Sequence, residues 1–267
     1  MPAPQGAPAW ASELALAYES GAHGQFILYG NVHDRLGVGA RFVNLAGYLE
    51  NELLAGFKVV LSYDLGNGLT IERGGEIVEQ WSGAELKRPP REPLPALQYM
   101  SRYLRYLGNL RALGRESKEN VAVILRGIDQ IVPGDGTGYE HGSMTSLLRE
   151  WASEVPFSEL PFTSILIADN LNDVEPLIAF DAHTARIRVP LPDTPSLERA
   201  LDILRAQQPH AFAADANVAR IAGALAGVTV SALESLVKVR GFSKQALNAA
   251  DLTRYMEIGR ASCRERV

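Results

Sequence analysis

The chain has 267 residues, 46% of them hydrophobic, which is ample for one large core or a core with a small satellite domain. A net charge of −5 and a pI near 5.6 argue against a broad nucleic-acid-binding face, which needs a basic surface. No apolar run approaches the length of a membrane span, and the leader 1–9 lacks the basic and apolar segments of a signal peptide, so a cytoplasmic protein is expected.

In chain order, Trp10 to Tyr18 reads as a short amphipathic helix with Trp10, Leu14, Ala17 and Tyr18 on one side. Gln25 to Tyr29 reads as a buried strand ending at Gly30, followed by the polar, glycine-bearing turn Asn31 to Gly39. A helix is expected from about Phe42 to Leu54, then a strand over Phe57 to Leu65. Gly66-Asn67-Gly68 has the chemistry of a tight turn, returning through Leu69-Thr70-Ile71. Residues 74–93 are polar and proline-bearing and read as a loop or small insertion. Their charged run, Lys87-Arg88-Pro89-Pro90-Arg91-Glu92, fits a solvated linker better than a contact with an acidic partner.

A strong helix is expected from Leu94 to Leu113, with Leu97, Met100, Tyr103, Leu104 and Leu107 as its apolar stripe. The five apolar residues Val121-Ala122-Val123-Ile124-Leu125 then form a buried parallel strand. After the glycine-rich stretch Pro133 to Gly138, a mobile connector by composition, come a helix over Ser143 to Ser153 and strands over Ser164 to Ala168 and Ala185 to Val189. Alternating strands and helices imply a parallel sheet covered on both faces. After Pro195 the pattern becomes helical: Leu197 to Arg205, Ala216 to Ala226, Val230 to Arg240 and Ser243 to Tyr255, with Thr194 or Ser196 placed as a cap. The expected organisation is an α/β domain over 10–193 and a helical domain over 194–256, with Val189–Pro195 as hinge.

The run 257–267 has no apolar period, and ordinary codons for it reproduce the universal adapter of short-read sequencing. It reads as read-through, so Cys263, the only cysteine, carries no functional information, and a continuation beyond about Tyr255 is expected. Without the three arginines and two glutamates of this run the charge moves from −5 to −6.

The order of these pieces resembles an AAA+ ATPase module over about Gln25 to Tyr255. Ile128-Asp129 match the residues that follow the family's Walker B acidic pair. Asp169-Asn170 matches the Thr-Asn that ends its sensor-1 strand. Asp173 to Ile178 is similar to the family's descent from that strand, and Val189-Pro190-Leu191-Pro192-Asp193 is close to the family's approach to the helical lid. The resemblance implies a P-loop NTPase-like, three-layer α/β/α parallel sheet followed by a small α-helical lid. It also implies an ATP or ADP site touching Gly30, Asn31, Asp129 and Asn170.

The departures bear on chemistry. Arg126-Gly127 stand where the family has the acids that hold Mg²⁺ and activate water, so no Mg²⁺ site is expected. Gly30 to Gly39 occupies the P-loop position but has no lysine to meet phosphate. Ala179 replaces the arginine of the family's Arg-Phe-Asp near Phe180-Asp181, so no arginine finger is evident. Arg126, ending a core strand, needs a partner, and a structural ion pair is favoured over an anion site. His33-Asp34 fits a solvated turn capping the next helix better than a catalytic pair, and Asn170 is as well suited to a local backbone bond as to a phosphate.

Two functions of different class follow. The first is a non-catalytic AAA+ module serving assembly or regulation of a larger, tandem AAA+ ATPase whose active P-loop module is expected beyond about Tyr255, its partners being AAA+ modules in cis or in an oligomeric ring. The second is a nucleotide-binding switch without turnover. A clamp-loader-like inactive subunit on DNA is a third reading, opposed by the acidic pI.

Overall fold

The computed structural model describes residues 1–4, 6–83, 89–115, 119–213 and 216–247. Lys87 and Arg88, residues 248–255 of the last expected helix, and the run 257–267 with Cys263 lie outside them. The chain groups into two compact units, Met1–Val32 with Leu49–Val189, and His33–Tyr48 with Pro190–Val267. The elements are α1 (Ala9–Glu19), β1 (Gln25–Gly30), β2 (Leu36–Val38), β3 (Arg41–Val43), α2 (Leu45–Tyr48), β4 (Val59–Asp64), β5 (Gly68–Arg73), α3 (Gly75–Ser82), α4 (Pro93–Ala112), β6 (Val121–Arg126), α5 (Ile128–Ile131), α6 (Tyr139–Ser153), β7 (Phe162–Ala168), α7 (Pro176–Ala179), β8 (Thr184–Val189), α8 (Thr194–Gln207), α9 (Val218–Ala224) and α10 (Val230–Phe242).

The first unit is built on a six-stranded sheet in the order β5-β4-β6-β7-β1-β8. Every neighbouring pair is parallel except the β4–β5 hairpin. The apolar runs of β1, β4, β6 and β7 are buried on both sides because both sheet faces are covered. Alternate residues Leu61, Tyr63, Val123, Leu125, Leu166 and Ile27 share one cluster with Leu97, Met100, Tyr103 and Leu104 of α4 and Leu148 and Trp151 of α6. The expected α4 stripe is thus the buried face of that helix. On the other end of the sheet α1 packs against β8, and its Tyr18 ring lies 5.7 Å from that of Phe57.

One helix of this unit, and the helix that leads into it from segment 33–48, differ from the sequence expectation. Residues 75–82 form helix α3 rather than loop, because Ile77, Val78 and Trp81 fall on one side and pack on the main core. Trp81 meets the rings of Tyr99 and Tyr103 at 5.2 and 5.1 Å. The helix expected from Phe42 starts only at Leu45 and continues as a π-helical turn, Leu49–Leu53, closed by Leu54 N–H donating to the Leu49 carbonyl at 2.7 Å. The Arg73 guanidinium donates to the carbonyls of Glu50 (2.9 Å), Leu54 (2.6 Å) and Phe57 (3.2 Å), satisfying acceptors that the end of the turn leaves open.

The second unit has its own core of Leu197, Leu201, Leu204, Leu225, Leu233 and Val237, with Phe42 packed against it. Segment 33–48, placed by the sequence inside the α/β domain, belongs here. It forms the hairpin β2–β3, whose two-residue turn begins with Gly39 at φ 56°, the conformation a tight hairpin needs. The reading of Asp34 as capping the next helix is also corrected. Its buried carboxylate accepts from Val230 N–H (2.9 Å), Ser231 N–H (2.8 Å) and Ser231 Oγ (2.9 Å) at the start of α10, and Arg35 pairs with Glu234 at 3.2 Å. The acid satisfies open donors and complements the helix dipole. Asp193, not Thr194 or Ser196, caps α8 by accepting from Ser196 N–H at 2.9 Å. Among the described residues no helix begins at Ser243, which ends α10, and Lys244 turns left-handed at φ 51°. Replacing Asp34 by Ala removes three hydrogen bonds from one helix start, and an unfolding free energy lower by about 1–2 kcal/mol is expected from urea titration.

Candidate functional site

Ligands of open parallel α/β sheets bind outside the carboxyl ends of the strands, where neighbouring connections leave in opposite directions. Strand β1 lies between β7 and β8 at such a position. The carboxyl ends of adjacent β6, β7 and β1 place Asp129, Asn170, Gly30 and Asn31 along one sheet edge, so the four residues expected at a nucleotide share this edge.

The end of β1 is tied on both sides. Gly30 N–H donates to the Asp169 carbonyl after β7 at 3.2 Å, and Asn31 N–H donates to the Val189 carbonyl ending β8 at 2.9 Å. Val32 N–H turns back to the Gly30 carbonyl at 2.8 Å. Gly30 has φ 103°, and a Cβ there would lie 2.9 Å from the Val189 carbonyl oxygen, so this approach requires glycine. A phosphate cradle needs consecutive N–H groups free to point at the anion, usually at the start of a helix. Here three consecutive amides are used by protein carbonyls, no lysine follows within 30–39, and the next element is strand β2. These residues do not fit the phosphates of a nucleotide.

At the end of β6, Arg126 forms an ion pair with Asp64, which ends the neighbouring strand β4. Asp64 also accepts from Gly66 N–H at 2.9 Å and Asn67 N–H at 2.8 Å, closing the Gly66–Gly68 turn. Burial raises the pKa of this carboxyl, but the hydrogen bonds from Asn67 and Gly66 and the Arg126 charge outweigh it and hold it below the usual carboxylate range. Arg126 is therefore a structural ion-pair residue, at the place where the resemblance calls for a metal-binding acid. Gly127, at φ 73°, sends its N–H to the Ile167 carbonyl (2.9 Å) and opens the short helix α5. Ile128 is fully buried in the main core, which accounts for its presence on packing grounds.

Asp129 follows in the first turn of α5, with Oδ1 buried and unbonded among the described residues. Its pKa is raised, first by burial and then by the charges of Asp169 and Asp173. Asn170 turns its side chain to the chain itself, Oδ1 accepting from Asn172 N–H at 3.2 Å to cap a 3-10 turn. Ala179, at the expected arginine-finger position, is fully buried in the main core, whereas Phe180 beside it is exposed. Asp181 pairs with Arg149 at 3.5 Å and accepts from His183 N–H at 2.8 Å. Among the described residues, no group of three or more His, Cys, Asp or Glu side chains could hold a metal ion.

A second polar pair, not singled out by the sequence, follows α5 in the fold. His141 Nε2 lies 2.8 Å from Glu175 Oε2, both side chains mostly buried, while Glu175 Oε1 accepts from Leu177 N–H at 3.3 Å at the start of α7. The His141 ring lies against Gly136, where any Cβ would collide with it. Gly134 N–H donates to the Asp173 carbonyl at 2.8 Å. The glycine-rich stretch is therefore pinned at two points. Nothing in the sequence pairs residues 34 positions apart, although the Asx-turn pattern of Asp64 before Gly66-Asn67 was available to find.

A parallel sheet buried on both faces, with its chemistry at the strand carboxyl ends, defines a Rossmann-like α/β/α domain. The family model for the AAA+ chaperone N-terminal Rossmann-like domain matches residues 1–190, and the chain belongs to that family. The match ends at residue 190, one residue past Val189, where the α/β unit ends. The AAA+ resemblance and the α/β/α fold are thereby borne out. No curated protein matches the chain.

The Asp64–Arg126 pair makes a pH-dependent contribution. The folded pKa of Asp64 lies below its unfolded value, so its ionised form stabilises the fold. That contribution is full above about pH 4 and fades as pH falls through the lower folded value. Asp64→Asn should be less stable than the parent at neutral pH, with the difference in urea midpoint shrinking below about pH 4; a difference that grows on acidification would contradict this assignment.

Proposed function

We propose that this chain is a non-catalytic AAA+ module that serves the assembly or regulation of a larger AAA+ chaperone complex. The observation that carries this reading is the engagement of the Gly30, Asn31 and Val32 amides by protein carbonyls at the place where a P-loop would hold phosphate. Two further features agree. The chain has no lysine in 30–39, and the cation of Arg126 is held by Asp64 where hydrolysis would need an acid for Mg²⁺. In phosphoryl transfer the protein contributes mainly positioning and charge stabilisation, and the groups that provide both are the ones replaced.

The elements that pack the sheet are retained, so the module keeps the shape through which AAA+ modules meet one another while lacking the means of turnover. On this reading its partners are AAA+ modules, in cis or in an oligomeric ring, and hydrolysis belongs to them.

Isothermal titration of the 267-residue chain with ADP and with ATP, each with and without Mg²⁺ and carried to millimolar ligand, tests the reading. No saturable heat is expected, and phosphate release with ATP should equal the buffer blank. Saturable heat without phosphate release would instead establish a nucleotide switch, and release above the blank would overturn the non-catalytic assignment.

A further inference from the structure

Strand β8 is the outer strand of the sheet next to β1, and among the described residues no strand pairs with its other edge. In a parallel ladder alternate backbone groups face opposite neighbours, so half of those on β8 point away from β1. The hydrogen bonds of residues 185–189 run to β1 and, from the Val189 carbonyl, to Asn31.

The side chains on this strand divide by face. Ile187 and Val189 are buried on one. On the other, Thr184 is buried and donates to Gln25 Oε1 at 2.8 Å, and Arg186 and Arg188 are exposed. The register confirms that these two share a face, since Arg186 sits beside Ile27 and Arg188 beside Tyr29. Among the described residues neither arginine makes a hydrogen bond or ion pair. Of the acids nearest in sequence, Asp181 is taken by Arg149 and His183, and Asp193 accepts from Ser196 N–H at the start of α8. An acidic chain thus carries, on a strand whose outer edge has no strand partner among the described residues, two cations without a described partner and no acid.

We propose that the outer edge of β8 receives an extended acidic segment of a partner protein as a seventh strand, with carboxylates pairing to Arg186 and Arg188. Main-chain hydrogen bonds to the edge would supply affinity, and the two arginines would select the side chains. Residues two apart on an extended strand are about 6.6 Å apart, so carboxylates at alternate positions of a paired segment match the two cations in step. The guanidinium fork accepts a carboxylate in a bidentate manner, which sets register as well as charge. A polyphosphate backbone is the poorer occupant, because two cations on a chain of net charge −5 release few counterions. This proposal is independent of whether the module binds nucleotide.

Fluorescence anisotropy on the full chain tests it. The probe is a labelled peptide of roughly ten residues alternating glutamate and threonine, long enough for one strand. Controls are the matching lysine–threonine peptide and the glutamate peptide with its two central threonines replaced by proline. The glutamate peptide should bind, and the lysine and proline peptides should bind about tenfold or more weaker. The double variant R186E/R188E, checked for folding by circular dichroism, should lose the glutamate peptide by a similar factor and gain the lysine peptide. If that variant does not fold, R186Q/R188Q should still weaken the glutamate peptide. Absence of binding, equal binding of the proline peptide, an unchanged affinity in the folded variants, or tighter binding of oligodeoxythymidylate of equal charge would each overturn the proposal.

Discussion

The carboxyl end of β1 is closed by its own sheet. Gly30 and Asn31 donate their amides to carbonyls at the ends of β7 and β8, so this strand is held on both sides at the point where its connection leaves. Only glycine allows the approach to Val189. From this constraint the character of the whole edge follows. Amides that complete a sheet cannot also cradle an anion without giving up those bonds, and an unsatisfied carbonyl at the buried Val189 would be the cost.

The same substitution of internal partners for external ones recurs along the edge. At the end of β6 a cation replaces the expected acid and is neutralised by Asp64, which also organises the β4–β5 turn. Asn170 caps its own 3-10 turn, and the His141–Glu175 pair ties the first turn of α6 to the start of α7. Along this edge Gly30, Asn31, Asn170 and Arg126 all bond within the fold, while the buried Asp129 Oδ1 has no partner among the described residues. In the second unit Asp34 applies the same principle to a helix, meeting the open amides that begin α10.

The sheet was legible in the sequence because fully buried strands read as unbroken apolar runs, as in Val121 to Leu125 and Ile165 to Ala168. Helix α4 was legible because its twenty residues give the helical period room to show. Helix α3 was missed since eight residues bounded by glycines show barely two turns. The hairpin β2–β3 was missed because its alternation spans three residues a side, and the pull of Asp34 on a distant helix leaves no local trace. Of the candidate site, the identities of Gly30, Arg126 and Asn170 were readable. What was not readable is which atoms they bond: the closure of β1 depends on carbonyls contributed by Asp169 and Val189, and a backbone acceptor has no sequence signature.

The central claim is that the amides after β1 belong to the sheet rather than to a ligand. Hydrogen–deuterium exchange of Asn31 and Val32, followed by NMR with and without millimolar ATP and Mg²⁺, addresses it directly. Slow exchange is expected in the free protein, with the same rates when nucleotide is present. Rapid exchange in the free protein that becomes protected on adding ATP would contradict it.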